Sequence, residues 1–247
     1  MDFDRQVPLE GCFNFRDLGA YVTADGRRIR SRRLFRADGP HALTAADELA
    51  LASLGLVTII DLRTPEEAEE RGGYDAVVPD VTVHSLPLVD VLPEHSDLER
   101  WVDPAIVAAR YRTMLDGASA AIAEVLAILS EPSAHPAVFH CSAGKDRTGI
   151  LAALVLGLLD VPDETIVADY ALSGAAMTKL IAHLHERHPD SSAVLEQIAP
   201  AMVAAEPETM TRLLAGIRAD FGSLEAYAAT LGVPEASSAL RAALLTR

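Results

Sequence analysis

The residues with the clearest chemical potential lie in one stretch, His140-Cys141-Ser142-Ala143-Gly144-Lys145-Asp146-Arg147-Thr148-Gly149. A short apolar run over Pro136–Phe139 precedes it and is predicted to be a strand, and a helix is predicted over Thr148–Leu159 after it. The five residues between Cys141 and Arg147 can turn their backbone N–H groups inward, and the positive end of the following helix adds to them. The stretch is therefore predicted to be a concave anion-binding loop.

Each polar residue of the loop has an expected role. Cys141 lies at the bottom of the positive loop, where its thiolate is favoured and can attack phosphorus to form a covalent intermediate. Arg147 offers a planar fork that binds two phosphate oxygens, and Thr148 is expected to donate a hydrogen bond to the sulfur or to the phosphate. The backbone and side chains expected to line the substrate are those of Ser142, Ala143, Gly144 and Lys145.

The same residues also have simpler interpretations. A lone cysteine is usually a small buried apolar residue, but a cysteine, a glycine and an arginine within one strand–loop–helix turn favour a nucleophile. His140 is expected to hold the loop by hydrogen bonds rather than to transfer protons. Lys145 and Asp146 form either an ion pair within the loop or a determinant of substrate choice, and the sequence leaves both open.

This stretch resembles the loop of the protein tyrosine phosphatase superfamily, which reads His-Cys, five residues, then Arg and Ser or Thr. Its fuller form resembles that of the bacterial tyrosine and phosphoinositide phosphatases, with Lys145 and Asp146 at matching positions. Asn14-Phe15-Arg16-Asp17-Leu18-Gly19 is similar to the N-terminal element of that branch, although Ala20 replaces its second glycine. Asp61-Leu62-Arg63 is similar to its DLR element, and residues 222–232 are similar to its closing helices.

The resemblance implies a two-step reaction through a phosphocysteine, with no metal or other cofactor. The first step needs an acid for the leaving oxygen, and the family's usual WPD loop is absent; Trp101-Val102-Asp103-Pro104 is better explained as a helix cap. Asp61, at the carboxyl end of a predicted strand, is the preferred acid, and Asp146 is expected to orient water or substrate. A structural bond from Asp61 to Arg63 is the alternative for that residue.

Two further expectations concern the N-terminal arm. Arg16 and Asp17 are expected to form an ion pair that holds the arm near the sheet. Cys12 is expected to be inert, the alternative being a protective disulfide with Cys141.

The elements that must position these residues are predicted from periodicity and caps. Helices are predicted over Ala45–Leu54 after Thr44, from the capping box 64–67, and from Asp103-Pro104 through Leu129, with strands over Leu56–Ile60 and Val81–Leu86. From Pro162 onward the pattern is helical, with helix starts at Ser223 and Pro234. The fold class is thus α/β: one domain over residues 1–247, with a central, largely parallel sheet flanked by helices and an all-helical extension from about residue 162. The apolar faces 171–184 and 210–217 favour core packing over a mobile lid.

Composition limits the partners. The net charge of −15 over 247 residues repels nucleic acid and anionic membranes. No apolar run is long enough to span a bilayer, and no signal peptide is apparent, so a cytoplasmic location is expected. Two cysteines make no disulfide framework. The six arginines within Arg27–Arg36 are assigned to a solvated hairpin in preference to a phosphate-attracting rim.

The resulting functional expectation is a broad phosphomonoesterase. Phosphotyrosine is the first substrate, and phosphoserine, phosphothreonine or phosphoinositides are admitted because Lys145 places a second positive charge in the loop. Two alternatives remain at this point, an inactive phosphate-binding pseudophosphatase and a rhodanese-like sulfurtransferase.

Overall fold

The computed structural model describes residues 5–40, 42–78, 80–88, 102–187, 196, 200 and 203–246. Its sheet has five strands in the order β1-β2-β5-β3-β4. Only β1 is antiparallel to its neighbour, and the other pairings are parallel. This confirms the predicted α/β class. The strands are β1 Arg16–Asp17, β2 Leu34–Ala37, β3 Thr58–Asp61, β4 Thr82–Ser85 and β5 Ala137–His140.

The three central strands are buried along their whole length, as expected for parallel strands covered by helices on both faces. Their apolar runs led to the predictions Leu56–Ile60 and Pro136–Phe139, whereas the observed strands continue to Asp61 and His140. The difference arises because these two polar residues are themselves buried at the strand ends.

The helices begin where polar caps predicted them. Thr44 and Thr64 each close a capping box, and Ser223 caps the helix after it. The last helix begins slightly after the predicted Pro234. The described helices are α1 Ala45–Ala52, α2 Pro65–Arg71, α3 Pro104–Gly117, α4 Ser119–Ser130, α5 Asp146–Leu158, α6 Asp163–Arg187, α7 Pro207–Phe221, α8 Leu224–Thr230 and α9 Ala236–Leu244.

Helix α5 is the centre of the main core and is buried nearly all round. Helix α7 contributes the buried side chains of Met210, Leu213, Leu214 and Ile217 to the same core. The face of α6 that carries Ala176, Met177 and Leu180 packs against Ala143. Both apolar faces singled out in the sequence therefore pack into the interior of the fold.

The arginine-rich run does not form a solvated hairpin throughout, which corrects that expectation. Its last member, Arg36, lies on the buried strand β2. Arg32 donates to the carbonyl of Ser53 at 2.8 Å, and Arg30 donates to that of Ala243. Guanidinium groups at the carboxyl ends of helices are favourable because those carbonyls carry partial negative charge. The run ties the hairpin to the ends of α1 and α9.

Within the described residues no single helix is long and apolar enough to cross a membrane. Helices α3 and α4 meet the length and composition test only when taken together, and the chain bends by 78° between them.

Candidate active site

The site forms where three parallel strands end together. In the sheet register Ala37 and Asp61 lie on either side of His140, and Cys141 follows His140 directly. Carboxyl ends of parallel strands are the usual position of sites in α/β folds. The loop from residue 141 to residue 147, called the P-loop below, therefore begins at the centre of this edge.

The P-loop curls around the sulfur of Cys141. The backbone N–H of Gly144 donates to Sγ at 3.2 Å, and Cys141 is buried. Gly144 has φ of +66°, and a Cβ at this position would lie 2.6 Å from the backbone nitrogen of Asp38. The loop thus requires glycine both for its backbone angle and for its close approach to the end of β2.

Side chains from the N-terminal arm and from β2 hold the outer side of the loop. Asn14 Nδ2 donates to the carbonyls of Gly144 at 2.9 Å and Ala143 at 3.2 Å. Arg36 Nη2 donates to the Gly144 carbonyl at 2.8 Å. Carbonyls turned outward leave the amide N–H groups turned toward the anion site. Asn14 and Arg36 are loop supports that the sequence reasoning did not assign.

Arg147 lies in the first turn of α5, because that helix begins at Asp146 rather than at the predicted Thr148. Its Nη1 and Nη2 bind the two carboxylate oxygens of Glu67 at 2.6 and 2.8 Å. Ser142 Oγ donates to the same carboxylate at 2.6 Å. Burial alone would raise the pKa of Glu67, but the hydrogen bonds from Arg147 and Ser142 lower it to about 2. Glu67 therefore fixes the direction of the guanidinium.

Glu67 is the main functional residue that sequence reasoning missed. Its position in the box 64–67 was assigned to capping α2, and it does accept a hydrogen bond from the Thr64 backbone. One signal was available in the sequence for a role at the site. Glu67 is the third residue of a helix that begins just after a strand ending at the site. A capping role accounted for it fully, so nothing in the sequence required a second one.

Asp61 does not fit the role of acid that the sequence favoured. Arg63 Nε and Nη2 bind its carboxylate at 2.9 and 2.6 Å, and the Arg63 backbone N–H adds a bond at 3.0 Å. Burial would raise the pKa of Asp61, yet these bonds and the charge of His140 outweigh it and lower the pKa. A carboxyl held in this way is kept ionised, which is unfavourable for donating a proton. The structural bond to Arg63 is the alternative that the structure shows.

Asp146 lies in the P-loop and has a side chain that is 26% exposed. Tyr111 donates to its Oδ1 at 2.5 Å, and Lys145 Nζ lies 3.6 Å from the same oxygen. The ion pair between Lys145 and Asp146, one of the two alternatives, is therefore present. Lys145 is itself buried and donates to the carbonyl of Ala204 at 3.1 Å, so its charge faces the segment before α7.

His140 and Thr148 are both buried beneath the loop. The His140 ring packs edge-on against Tyr74 at 4.9 Å, and its Nε2 is 3.7 Å from Asp61 Oδ2, which agrees with a supporting role. The Thr148 hydroxyl donates to the Ala37 carbonyl at 3.5 Å and not to the sulfur, while the expected bond to the phosphate stays a prediction. The hydroxyl faces β2 because Thr148 lies on the sheet side of α5.

Arg16 and Asp17 do not pair with each other, which corrects a further expectation. Arg16 Nε binds Asp169 Oδ1 on α6 at 3.0 Å, and Arg36 Nη1 binds Asp169 Oδ2 at 2.5 Å. Asp17 instead accepts from the backbone N–H groups of Gly19 and Arg32. Neighbouring residues on a strand point to opposite faces of the sheet, so Arg16 and Asp17 find separate partners.

Cys12 forms no disulfide. Its thiol donates to Asp38 Oδ1 at 2.7 Å and lies 3.0 Å from the Tyr74 hydroxyl. Burial, followed by the charge of Asp38, raises the pKa of Cys12 well above its usual range. A protonated thiol is a poor nucleophile, in agreement with the inert role expected for this cysteine.

Helix α3 supplies two more features of the site. Asp103 caps it by accepting from the Ala105 N–H at 2.8 Å, with Pro104 at its first position. The cap interpretation of that string is confirmed, while Trp101 lies outside the described residues. Further along α3, burial lowers the pKa of Arg110 to about 10. The positive charge of Arg147 lowers this pKa further, whereas the negative charge of Asp146 opposes the shift. Arg110 is thus a second guanidinium close to the loop.

A buried thiol that accepts from a loop N–H, and an arginine of the same loop that Glu67 orients, define the class: a cysteine-dependent phosphomonoesterase. The chain belongs to the tyrosine phosphatase family, whose model matches residues 7–246. The protein is therefore a protein-tyrosine phosphatase, a hydrolase acting on phosphorylated substrates. The sulfurtransferase alternative gives way to this assignment.

The chain is similar to named phosphatases over most of its length. It is 29% identical to the triple specificity protein phosphatase PtpB of Mycobacterium tuberculosis, over 93% of this chain and 95% of that protein. It is 31% identical to a tyrosine-protein phosphatase of Nostoc commune, over 78% of this chain and 67% of that protein. Among solved structures, P. aeruginosa TpbA in complex with pTyr aligns with 79% of this chain and 95% of that chain, at 18% identity and a TM-score of 0.29.

Proposed function

We propose that the protein hydrolyses phosphotyrosine through Cys141, with Asp146 as the general acid, and that it also accepts phosphoserine and phosphothreonine. The observation that carries this proposal is the P-loop itself. Gly144 N–H points at Sγ, and Glu67 holds Arg147 by both nitrogens of its fork. A nucleophile and an oxyanion clamp are thus positioned before the substrate arrives, which lowers the cost of reaching the transition state.

The reaction follows in two balanced steps. The Cys141 thiolate attacks phosphorus, the S–P bond forms, and the ester P–O bond breaks as Asp146 gives its proton to the leaving oxygen. Arg147 and the loop amides bind the equatorial phosphate oxygens. Water then attacks phosphorus and gives a proton to the Asp146 carboxylate, the S–P bond breaks, and inorganic phosphate and the thiolate are released.

The assignment of Asp146 reverses the preference for Asp61 that the sequence suggested. Asp61 is committed to Arg63 by two side-chain nitrogens and a backbone N–H. Asp146 is part of the loop, is partly exposed, and accepts from the neutral hydroxyl of Tyr111 at 2.5 Å, with the Lys145 ammonium further away at 3.6 Å. An acid must reach the leaving oxygen, and Asp146, which belongs to the loop and is partly exposed, meets this condition better than Asp61.

The acid assignment is tested by leaving-group dependence. Asp146→Asn and Asp61→Asn are each assayed on p-nitrophenyl phosphate and on a phosphoserine peptide. A good aryl leaving group needs little protonation, so Asp146→Asn is expected to lose about 100-fold or more on the serine ester and far less on the aryl ester. Equal losses of Asp146→Asn on both esters would contradict the assignment. A selective loss on the serine ester in Asp61→Asn alone would restore the first choice.

The covalent step is tested with the two cysteines as a matched pair. Wild type quenched in acid during turnover is expected to carry a phosphate on the Cys141 peptide, and orthovanadate is expected to block its formation. Cys141→Ser is expected to abolish turnover, whereas Cys12→Ser retains it because that thiol stays protonated. Unchanged hydrolysis by Cys141→Ser would refute the mechanism, and the absence of any wild-type turnover would favour the pseudophosphatase.

The breadth of substrate rests on two observations of unequal weight. The relative from M. tuberculosis is named a triple specificity protein phosphatase, which supports a substrate range wider than phosphotyrosine alone. The phosphoinositide expectation depends on Lys145, a residue that is 5% exposed and whose ammonium contacts the Ala204 carbonyl and Asp146. Phosphoinositides are the weaker part of the proposal, because Lys145 contacts such a substrate only after its ammonium leaves the Ala204 carbonyl.

A substrate panel separates these classes. Phosphotyrosine and phosphoserine peptides are compared with a phosphoinositide in neutral vesicles, using Lys145→Ala and the exposed Lys179→Ala as its charge-matched control. If Lys145 serves the lipid, Lys145→Ala lowers phosphoinositide turnover more than peptide turnover, and Lys179→Ala lowers neither. Equal losses on both classes would remove the basis for lipid activity.

A further inference from the structure

Two buried tyrosines from different helices meet at the carboxylate of Asp146. Tyr111 on α3 donates to Asp146 Oδ1 at 2.5 Å, and its oxygen lies 2.8 Å from the hydroxyl of Tyr170 on α6. The two rings pack edge to face with centroids 6.2 Å apart. Both side chains are buried, so their packing fixes the positions of the hydroxyl groups.

The hydrogen bonds in this group can run in only one direction. An ionised carboxylate accepts and cannot donate, so the Tyr111 proton points at Asp146 and the Tyr111 oxygen accepts from Tyr170. Burial, reinforced by the charge of Asp146, raises the pKa of Tyr111 well above its usual range. Burial and the charge of Asp146 also raise the pKa of Tyr170, so both phenols stay protonated during turnover and act as donors.

The consequence is an asymmetry between the two oxygens of Asp146. Among the described residues, Tyr111 and Lys145 make polar contacts with its carboxylate, and both contacts fall on Oδ1. An oxygen that already accepts a strong hydrogen bond is a poor place for a proton, because the proton would face the donor. Protonation of Asp146 is thereby directed to Oδ2.

We propose that Tyr111, supported by Tyr170, is a positioning residue that holds Asp146 by Oδ1 and so presents the transferable proton on Oδ2 to the leaving group. This inference rests on the proposed role of Asp146 as general acid. Neither tyrosine loses its own proton, and neither touches the substrate. The pair also makes proton transfer depend on how α3, α5 and α6 pack, since one side chain comes from each helix.

The test is removal of a single oxygen atom. Tyr111→Phe is expected to lower kcat on a phosphoserine peptide by about tenfold, the order that one charge-assisted hydrogen bond supplies. On p-nitrophenyl phosphate it is expected to change kcat by less than about threefold, since that leaving group needs little protonation. The KM values are expected to stay the same, because the cradle of Cys141 and Arg147 is not altered.

Tyr227→Phe is the matched control. Tyr227 is also buried, and its hydroxyl has no hydrogen-bond partner among the described residues. Removing that oxygen is expected to leave both substrates unaffected. A thermal melt and orthovanadate binding of each variant establish that the loop is intact.

The outcomes distinguish this inference from the acid assignment. If Asp146→Asn loses activity selectively on the serine ester but Tyr111→Phe does not, Asp146 remains the acid and the positioning role is refuted. If Asp146→Asn shows no selective loss, the acid assignment fails first. When Tyr111→Phe is combined with Asp146→Asn, it is expected to cause no further loss of activity on the serine ester relative to the aryl ester. The two substitutions act on the same proton transfer, so their effects are not additive.

A second variant, Tyr170→Phe, tests the positioning role if the Tyr111→Phe protein does not fold. Tyr170→Phe keeps the direct bond from Tyr111 to Asp146 and removes only the hydroxyl behind it. Its loss is expected to be about two- to threefold and again confined to the serine ester, because it weakens the Tyr111 bond without removing it. An equal loss on both esters would overturn the proposal.

Discussion

Glu67 connects the start of a helix to the catalytic arginine, and Glu67→Gln tests this connection. Glutamine has nearly the same size and is accepted at the third position of a capping box, so the bond to the Thr64 N–H is retained. The substitution removes the negative charge and leaves one acceptor oxygen for the two contacts of Arg147 and the one of Ser142. Helix α2 is therefore expected to form, while the arginine loses its fixed direction.

The effect on stability follows from the pKa of Glu67. A value of about 2 in place of the ordinary 4.5 corresponds to about 3 kcal/mol, at roughly 1.4 kcal/mol per pH unit. The carboxylate is 27% exposed, so solvent screening reduces this to on the order of 2 kcal/mol. The folded pKa is the lower one, so the stabilisation is complete above pH 4.5 and disappears as the pH falls toward 2. Urea unfolding is expected to separate wild type from the variant at pH 7 and to bring them together near pH 2.

The effect on catalysis is measured separately. With Arg147 able to turn, kcat/KM for p-nitrophenyl phosphate is expected to fall by about 10- to 100-fold, the order found when a positioning contact is lost, and orthovanadate is expected to bind more weakly. Glu70→Gln, an exposed glutamate on the same helix, is the charge-matched control and is expected to change neither quantity. If the Glu67→Gln variant keeps the kcat/KM of the wild type, even with a lower stability, Arg147 keeps its direction without Glu67 and the reasoning is refuted.

Two further predictions concern the support of the loop. Gly144→Ala places a methyl group 2.6 Å from the Asp38 nitrogen, at a residue whose φ is +66°. The substitution is expected to abolish orthovanadate binding and to lower the free energy of unfolding in urea by about 1–3 kcal/mol. Wild-type affinity for orthovanadate would contradict this prediction. Asp169→Asn leaves the buried Arg16 and Arg36 without their shared carboxylate. It is expected to lower the free energy of unfolding by about 3–5 kcal/mol in the same assay. A decrease below about 1 kcal/mol would mean that the two guanidinium groups find other acceptors.

The centre of the fold was predictable because local signals agreed with one another. The strand before Cys141, the glycine within the loop and the apolar helix after Arg147 point to one strand–loop–helix unit, and the structure contains it. The capping boxes at Thr44 and Thr64 were predictable for the same reason, since a cap depends only on residues within one turn.

The long-range partners were not predictable, because nothing local specifies them. Arg16 was expected to pair with its neighbour Asp17, but its partner is Asp169 on a helix far along the chain. Asp61 was expected to be available as an acid, and only the fold shows how fully Arg63 occupies it. The motif indicates which residues are polar at the site but not which of them neutralise one another.

The charge balance of the protein is resolved by the same long-range contacts. A chain of net charge −15 must bind a phosphate dianion, and a surface with that charge repels it. Behind the P-loop the sign is reversed: two buried arginines share the single carboxylate of Asp169, and one of them, Arg36, donates directly to the Gly144 carbonyl. The guanidinium of Arg36 therefore lies against the loop in a region that water does not screen. Because electrostatic interactions weaken steeply with distance in water but persist in the interior, a few buried cations can outweigh many exposed carboxylates at the position of the phosphate.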